Sequence, residues 1–69
     1  MDAVEKDLES RKSEIQDELE AIFKGNMKIS DWNIPEADDQ KIAEMLVDIM
    51  QEKLDAIKKD VKEKKYENY

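Results

Sequence analysis

One glycine and one proline, ten residues apart at Gly25 and Pro35, are the only strong helix breakers in 69 residues. They therefore bracket the single stretch that cannot run as continuous helix. The pattern on either side is helical. Asp2 followed three residues later by Glu5 forms a capping box, and Asp2, Glu5 and Asp7 sit where the helix N-terminal dipole favours acids. Lys24 then Gly25 supplies a basic last turn and a C′ glycine. A first helix is expected over about residues 3–24, roughly 33 Å at 1.5 Å per residue.

At about 100° per residue, Met1, Val4, Leu8, Ile15, Leu19, Ile22 and Phe23 share one stripe. Met1, Leu8, Ile15 and Ile22 recur every seven residues. Arg11 and Lys12 interrupt this side. Their aliphatic stems are expected to pack while their heads reach water, the alternative being a polar layer that sets register.

Residues 25–37 form a connection that is long and unusually apolar for a loop, with Met27, Ile29, Trp32 and Ile34 alternating with polar residues. It should therefore pack on something. Ser30 to Asn33 could make one helical turn, and Pro35 restricts Ile34 to extended backbone. Trp32 is expected to cap the bundle end in a satellite core with Met27, Ile29 and Ile34, or else to anchor an interface.

The second helix covers about residues 38–66, with Pro35 as its expected first helical residue and an Asp38 cap as the alternative start. Ile42, Leu46, Ile49, Met50, Leu54, Ile57 and Val61 form its stripe; Ala43 and Val47 widen one edge, Met45 and Ala56 the other. One antiparallel helix cannot cover a stripe that wide. Opposite it, Glu44, Asp48, Glu52 and Asp55 form an acidic ridge.

The expected fold is thus all-α, a two-helix antiparallel hairpin that dimerises into a four-helix bundle, with a foreign helix as the alternative occupant of the uncovered face. Size points the same way. A chain this short buries only about 60% of the surface its unfolded form exposes, and it has no cysteine or histidine to supply a disulfide or zinc staple. Association is the staple that remains.

Several function classes become remote. The acidic N-terminal segment lacks the basic and apolar regions of a signal peptide, and the longest apolar run is Met45-Leu46-Val47, so a soluble, cytoplasmic protein without a membrane partner is expected. The net charge of −7 argues against direct nucleic-acid binding. Residues 1–57 carry a net −9 and residues 58–69 a net +2, so an acidic body ends in a basic tail. Lys58, Lys59, Lys62, Lys64 and Lys65 in that tail suit the helix C-terminal dipole.

No enzyme is expected. Without His or Cys the common triads and thiolate mechanisms have no residues to use, and the carboxylates lie on faces that should be wet. Residues 31–39 lack the ligand spacing and central glycine of a helix-loop-helix calcium site, so neither cofactor nor metal is expected. What remains is a protein-protein interaction module, an adaptor or inhibitor of the kind phages and mobile elements encode, by analogy alone. Its candidate contacts are the apolar Met45, Val47, Met50, Leu54 and Trp32. Two alternatives use other physics. The ridge Glu44, Asp48, Glu52 and Asp55 spaces carboxylates about one turn apart, roughly 5.4–6 Å, near the phosphate spacing of DNA, as a DNA mimic would; against this stands an ordinary solvated face with intrahelical pairs such as Asp55 with Lys58 or Lys59. A chaperone-like bundle that sequesters a partner helix would use the stripe itself.

Overall fold

A computed structural model describes residues 2–69; Met1, the first member of the seven-residue repeat, lies outside the described residues. The chain forms two α-helices and, among the described residues, no strand: α1, Ala3–Asn33, and α2, Asp39–Lys62. They fold back on each other as a helical hairpin.

α1 begins as the capping pattern requires. The Asp2 carboxylate accepts a hydrogen bond from the Glu5 N–H at 2.8 Å, satisfying one of the helix's orphan donors. The helix then passes straight through Gly25, which the sequence pattern had marked as its end, and the expected connection at 25–37 shrinks to residues 34–38. The reason is tertiary. Phe23, Met27 and Ser30, spaced by four and three, are half-buried along the side of α1 that meets α2, and this packing outweighs the roughly 1 kcal/mol by which glycine disfavours a helix interior. Asn26 helps locally, its amide donating to the Ile22 carbonyl at 2.9 Å.

Pro35 supplies the actual break. It forces Ile34 out of the helical region, to φ −135° and ψ 81°, although the Ile34 N–H still donates to Ser30 O at 2.9 Å. The Ala37 N–H donates to Ile34 O at 3.0 Å, closing a β-turn with Pro35 at its second position. Because the chain spends Pro35 on this turn, α2 does not start there. Asp38 caps instead, accepting from the Gln40 N–H at 3.0 Å.

α2 ends at Lys62, four residues before the expected limit. Lys64 takes a left-handed conformation at φ 60°, its N–H donates to Val61 O at 3.0 Å, and the Lys65 N–H donates to Asp60 O at 3.1 Å. These paired bonds are a Schellman cap, with lysine where glycine is usual. Lys65 replaces the customary apolar contact of that motif with ion pairs to Asp60 at 3.2 Å and Glu63 at 3.5 Å, which raise its pKa. Tyr66 and Tyr69 pack edge to face beyond it, centroids 6.0 Å apart.

The helices cover each other only in part. No described residue is fully buried, and the half-buried side chains of α2 apart from Asp60, namely Ile42, Ala43, Leu46 and Met50, all lie in its first half. The chain exposes 6401 Å², whereas a folded monomer of 8.1 kDa should expose about 4,500 Å². Its radius of gyration is 16.0 Å, against about 11 Å for a compact chain of this length.

Candidate interaction surface

The seam splits the apolar stripe of α2 into two flanks. Leu46 and Met50 face α1, while residues on either side of them stay open. On one flank a groove of about 460 Å³ is bounded by Ile34 and Ala37 of the turn and by Ile42, Met45 and Ile49 of α2, with Lys41 and Asp38 at its rim. On the other flank a groove of about 260 Å³ lies between Leu19 and Phe23 of α1 and Val47, Met50 and Leu54 of α2, with Gln16, Glu20 and Gln51 around it.

The five apolar residues expected to bind a partner therefore do not form one patch. Met45, 55% exposed, belongs to the first flank; Val47 and Leu54 belong to the second; Met50 is half-buried between them. Trp32 does not cap the bundle. It is 86% exposed on the last turn of α1, and of the satellite core expected around it only Met27 is half-buried, on the seam. The cause is the continuation of α1, because a helical residue 32 lies about 180° around the axis from Phe23 and so points away from the seam.

The straight helix also assembles a surface that a loop at 25–37 would have dispersed. Ile29 extends the repeat Leu8, Ile15, Ile22 by one more step, and at 100° per residue Ile22, Gly25, Ile29 and Trp32 share one side of α1. Gln16 and Glu20 mark the opposite side, beside Leu54. Ile22 and Ile29 thus look out on the same flank as Met45 and Ile49, and all four are more than half exposed. An unbroken count of sevens through Gly25 is the signal that finds them.

Charges around these flanks are paired locally. Arg11 reaches Asp7 at 3.0 Å, one turn away, which lowers the Asp7 pKa and raises that of Arg11; both remain open to water. All four ridge acids are exposed. Glu44 accepts from Gln40 at 3.1 Å, and Asp55 accepts from Gln51 at 2.9 Å rather than pairing with Lys58 or Lys59.

One acid pair crosses the turn. Hydrogen bonding to Asp39 holds the Asp31 carboxyl above the usual carboxylate range, with desolvation and the charge of Asp39 acting in the same direction. An acid whose pKa is raised on folding binds its proton more tightly in the folded state. Its stabilisation is therefore present below the ordinary carboxylate range and is lost as pH rises through the raised pKa. Asp31→Asn, whose amide can donate to Asp39, should raise the melting temperature at pH 7 and give little advantage in acid. Thermal melts followed by circular dichroism at the two pH values check both halves of this expectation.

Among the described residues no three or more carboxylates converge on a metal-sized site, and no helix is long and apolar enough to cross a membrane. No protein-family model, curated protein or solved structure matches the chain.

Proposed function

We propose that this protein is a non-catalytic protein-interaction module, an adaptor or inhibitor that works by burying its open apolar flanks against another polypeptide. The observation that carries this is the excess of exposed surface: about 1,900 Å² beyond what a folded monomer of this mass should present, with Ile22, Ile29, Met45 and Ile49 on one side and Val47 and Leu54 on the other. A stable interface takes about 800 Å² from each partner, so the excess is large enough for two such contacts. The flank side chains left open are aliphatic or thioether, and enclosing them removes apolar area from water at about 25 cal/mol per Å². Helix-in-groove packing is the mode that suits two helices with an unfilled seam on each side.

The test uses a photo-crosslinking amino acid at Met45 in one version of the protein and at Val47 in another, each produced in the cells that encode it. Discrete adducts with a polypeptide, either this chain or a foreign one, are expected at one flank or both. Irradiation that yields no polypeptide adduct at either flank would overturn the proposal.

A further inference from the structure

Resting on that proposal, we infer that the Val47 flank binds a foreign amphipathic helix whose apolar face is bordered by lysine and arginine. The two flanks differ in charge. At the Ile49 flank one acid, Asp38, is matched by one base, Lys41, so charge there neither selects nor repels a second copy. The groove at Leu19, Val47 and Leu54 instead continues past Val47 into a second hollow of about 300 Å³ beside Ala43. The walls of the two together hold Glu20, Glu44 and Asp48 and no lysine or arginine.

The chain does little to neutralise these acids. Glu20 meets Lys24 at 3.5 Å, but both side chains are largely exposed, so the pair is weak. Glu44 and the neighbouring Asp55 accept from the glutamines Gln40 and Gln51 rather than from bases, and no ion pair among the described residues includes Glu44, Asp48 or Asp55. On this face of α2 the first base, Lys58, comes one turn beyond Leu54. An apolar wall with a rim of one sign selects a partner of the opposite sign. A second copy would be a poor occupant, because a two-fold contact sets a patch against itself and would bring Glu20, Glu44 and Asp48 against their own equivalents.

The walls also decide the backbone of the occupant. Both are α-helices whose backbone groups bond internally, so an extended peptide would find no edge to pair with and would leave its own N–H and C=O groups unmet against the groove. A helix arrives with those bonds made. From Gln40 to Leu54 the groove runs about 21 Å at 1.5 Å per residue, about four turns of a partner helix. Leu19, Val47 and Leu54, 42%, 53% and 43% exposed, are the side chains it would cover.

The probe is a displayed library of helical peptides of about fourteen residues, with leucine or isoleucine at alternating spacings of three and four and each flanking position drawn from Lys, Gln and Glu. Selected on the full chain, it should return peptides with Lys favoured over Glu at the flanking positions by about tenfold or more, and Leu54→Asp should abolish their recovery. Glu44→Gln combined with Asp48→Asn should weaken the recovered peptides about fivefold or more, as the loss of two exposed ion pairs implies. Glu14→Gln combined with Glu18→Gln removes the same charge from the side of α1 opposite Gln16 and Glu20, and should leave their affinity nearly unchanged. No preference for Lys, a preference that survives Leu54→Asp, or an equal loss from the two charge pairs would overturn the inference, the last two because net charge rather than this groove would be selecting the peptides. In that event a polypeptide adduct at Met45 or Val47 in the crosslinking experiment would leave the proposed function standing with a different occupant, whereas no adduct at either flank would overturn both.

Discussion

Where a second copy covers the Ile49 flank, Ile49→Asp should leave the protein as single chains. Ile49 is 60% exposed in the hairpin, on the same flank as Met45, and it contributes little to the seam with α1. In a two-fold assembly it is buried twice. Enclosing a fully exposed isoleucine is worth about 1.5–3 kcal/mol; with 60% of Ile49 left to cover, two copies account for about 2–4 kcal/mol of association, a factor of roughly 30 to 10³ in the dissociation constant. Aspartate adds an unpaired carboxylate to an apolar contact, which pushes in the same direction. The check is a sedimentation-velocity series over protein concentration. Leu54→Asp, on the other flank, should leave self-association unchanged while abolishing any foreign adduct at Val47. Loss of self-association with Leu54→Asp and not with Ile49→Asp would exchange the roles of the two flanks.

Leu46→Ala should act differently, by loosening the hairpin itself. Leu46 is half-buried toward α1, near the middle of the short stretch where the helices cover each other. Truncation of a fully buried leucine costs about 2–5 kcal/mol; at half burial about 1–3 kcal/mol is expected, a large share of what so small a seam holds. Helical content and melting temperature should both fall, at low and high protein concentration alike. Ile49→Asp, by contrast, should give melting that no longer depends on concentration. Circular dichroism melts over a hundredfold concentration range separate the two behaviours.

The helical hairpin was legible because its signals are local. The alternation of apolar residues in α2, the Asp2 cap with Glu5, and the effect of Pro35 on Ile34 each act within a few residues, and each has its counterpart in the structure. Gly25 was not legible. Its propensity to end a helix is a local preference of about 1 kcal/mol, and the contacts of Phe23, Met27 and Ser30 across the seam override it. From that one difference the others follow: the shortened turn, the exposure of Trp32, and the addition of Ile29 to the outer face of α1. The wheel already set Met45 and Val47 on opposite edges of the stripe, yet where α1 would run between them was not legible. A helical wheel gives the width of a stripe but not the line along which a neighbour will divide it. The left-handed cap at Lys64 had no compositional signal, because lysine stands where glycine would have marked the end of α2.

The hairpin's open flanks gain their meaning from what covers them, and sedimentation equilibrium of the unmodified protein at micromolar concentration measures that directly. The mass should be twice the 8.1 kDa of one chain, with a melting temperature that rises with concentration. A stable mass of one chain, melting cooperatively at a temperature independent of concentration, would contradict self-association through the Ile49 flank.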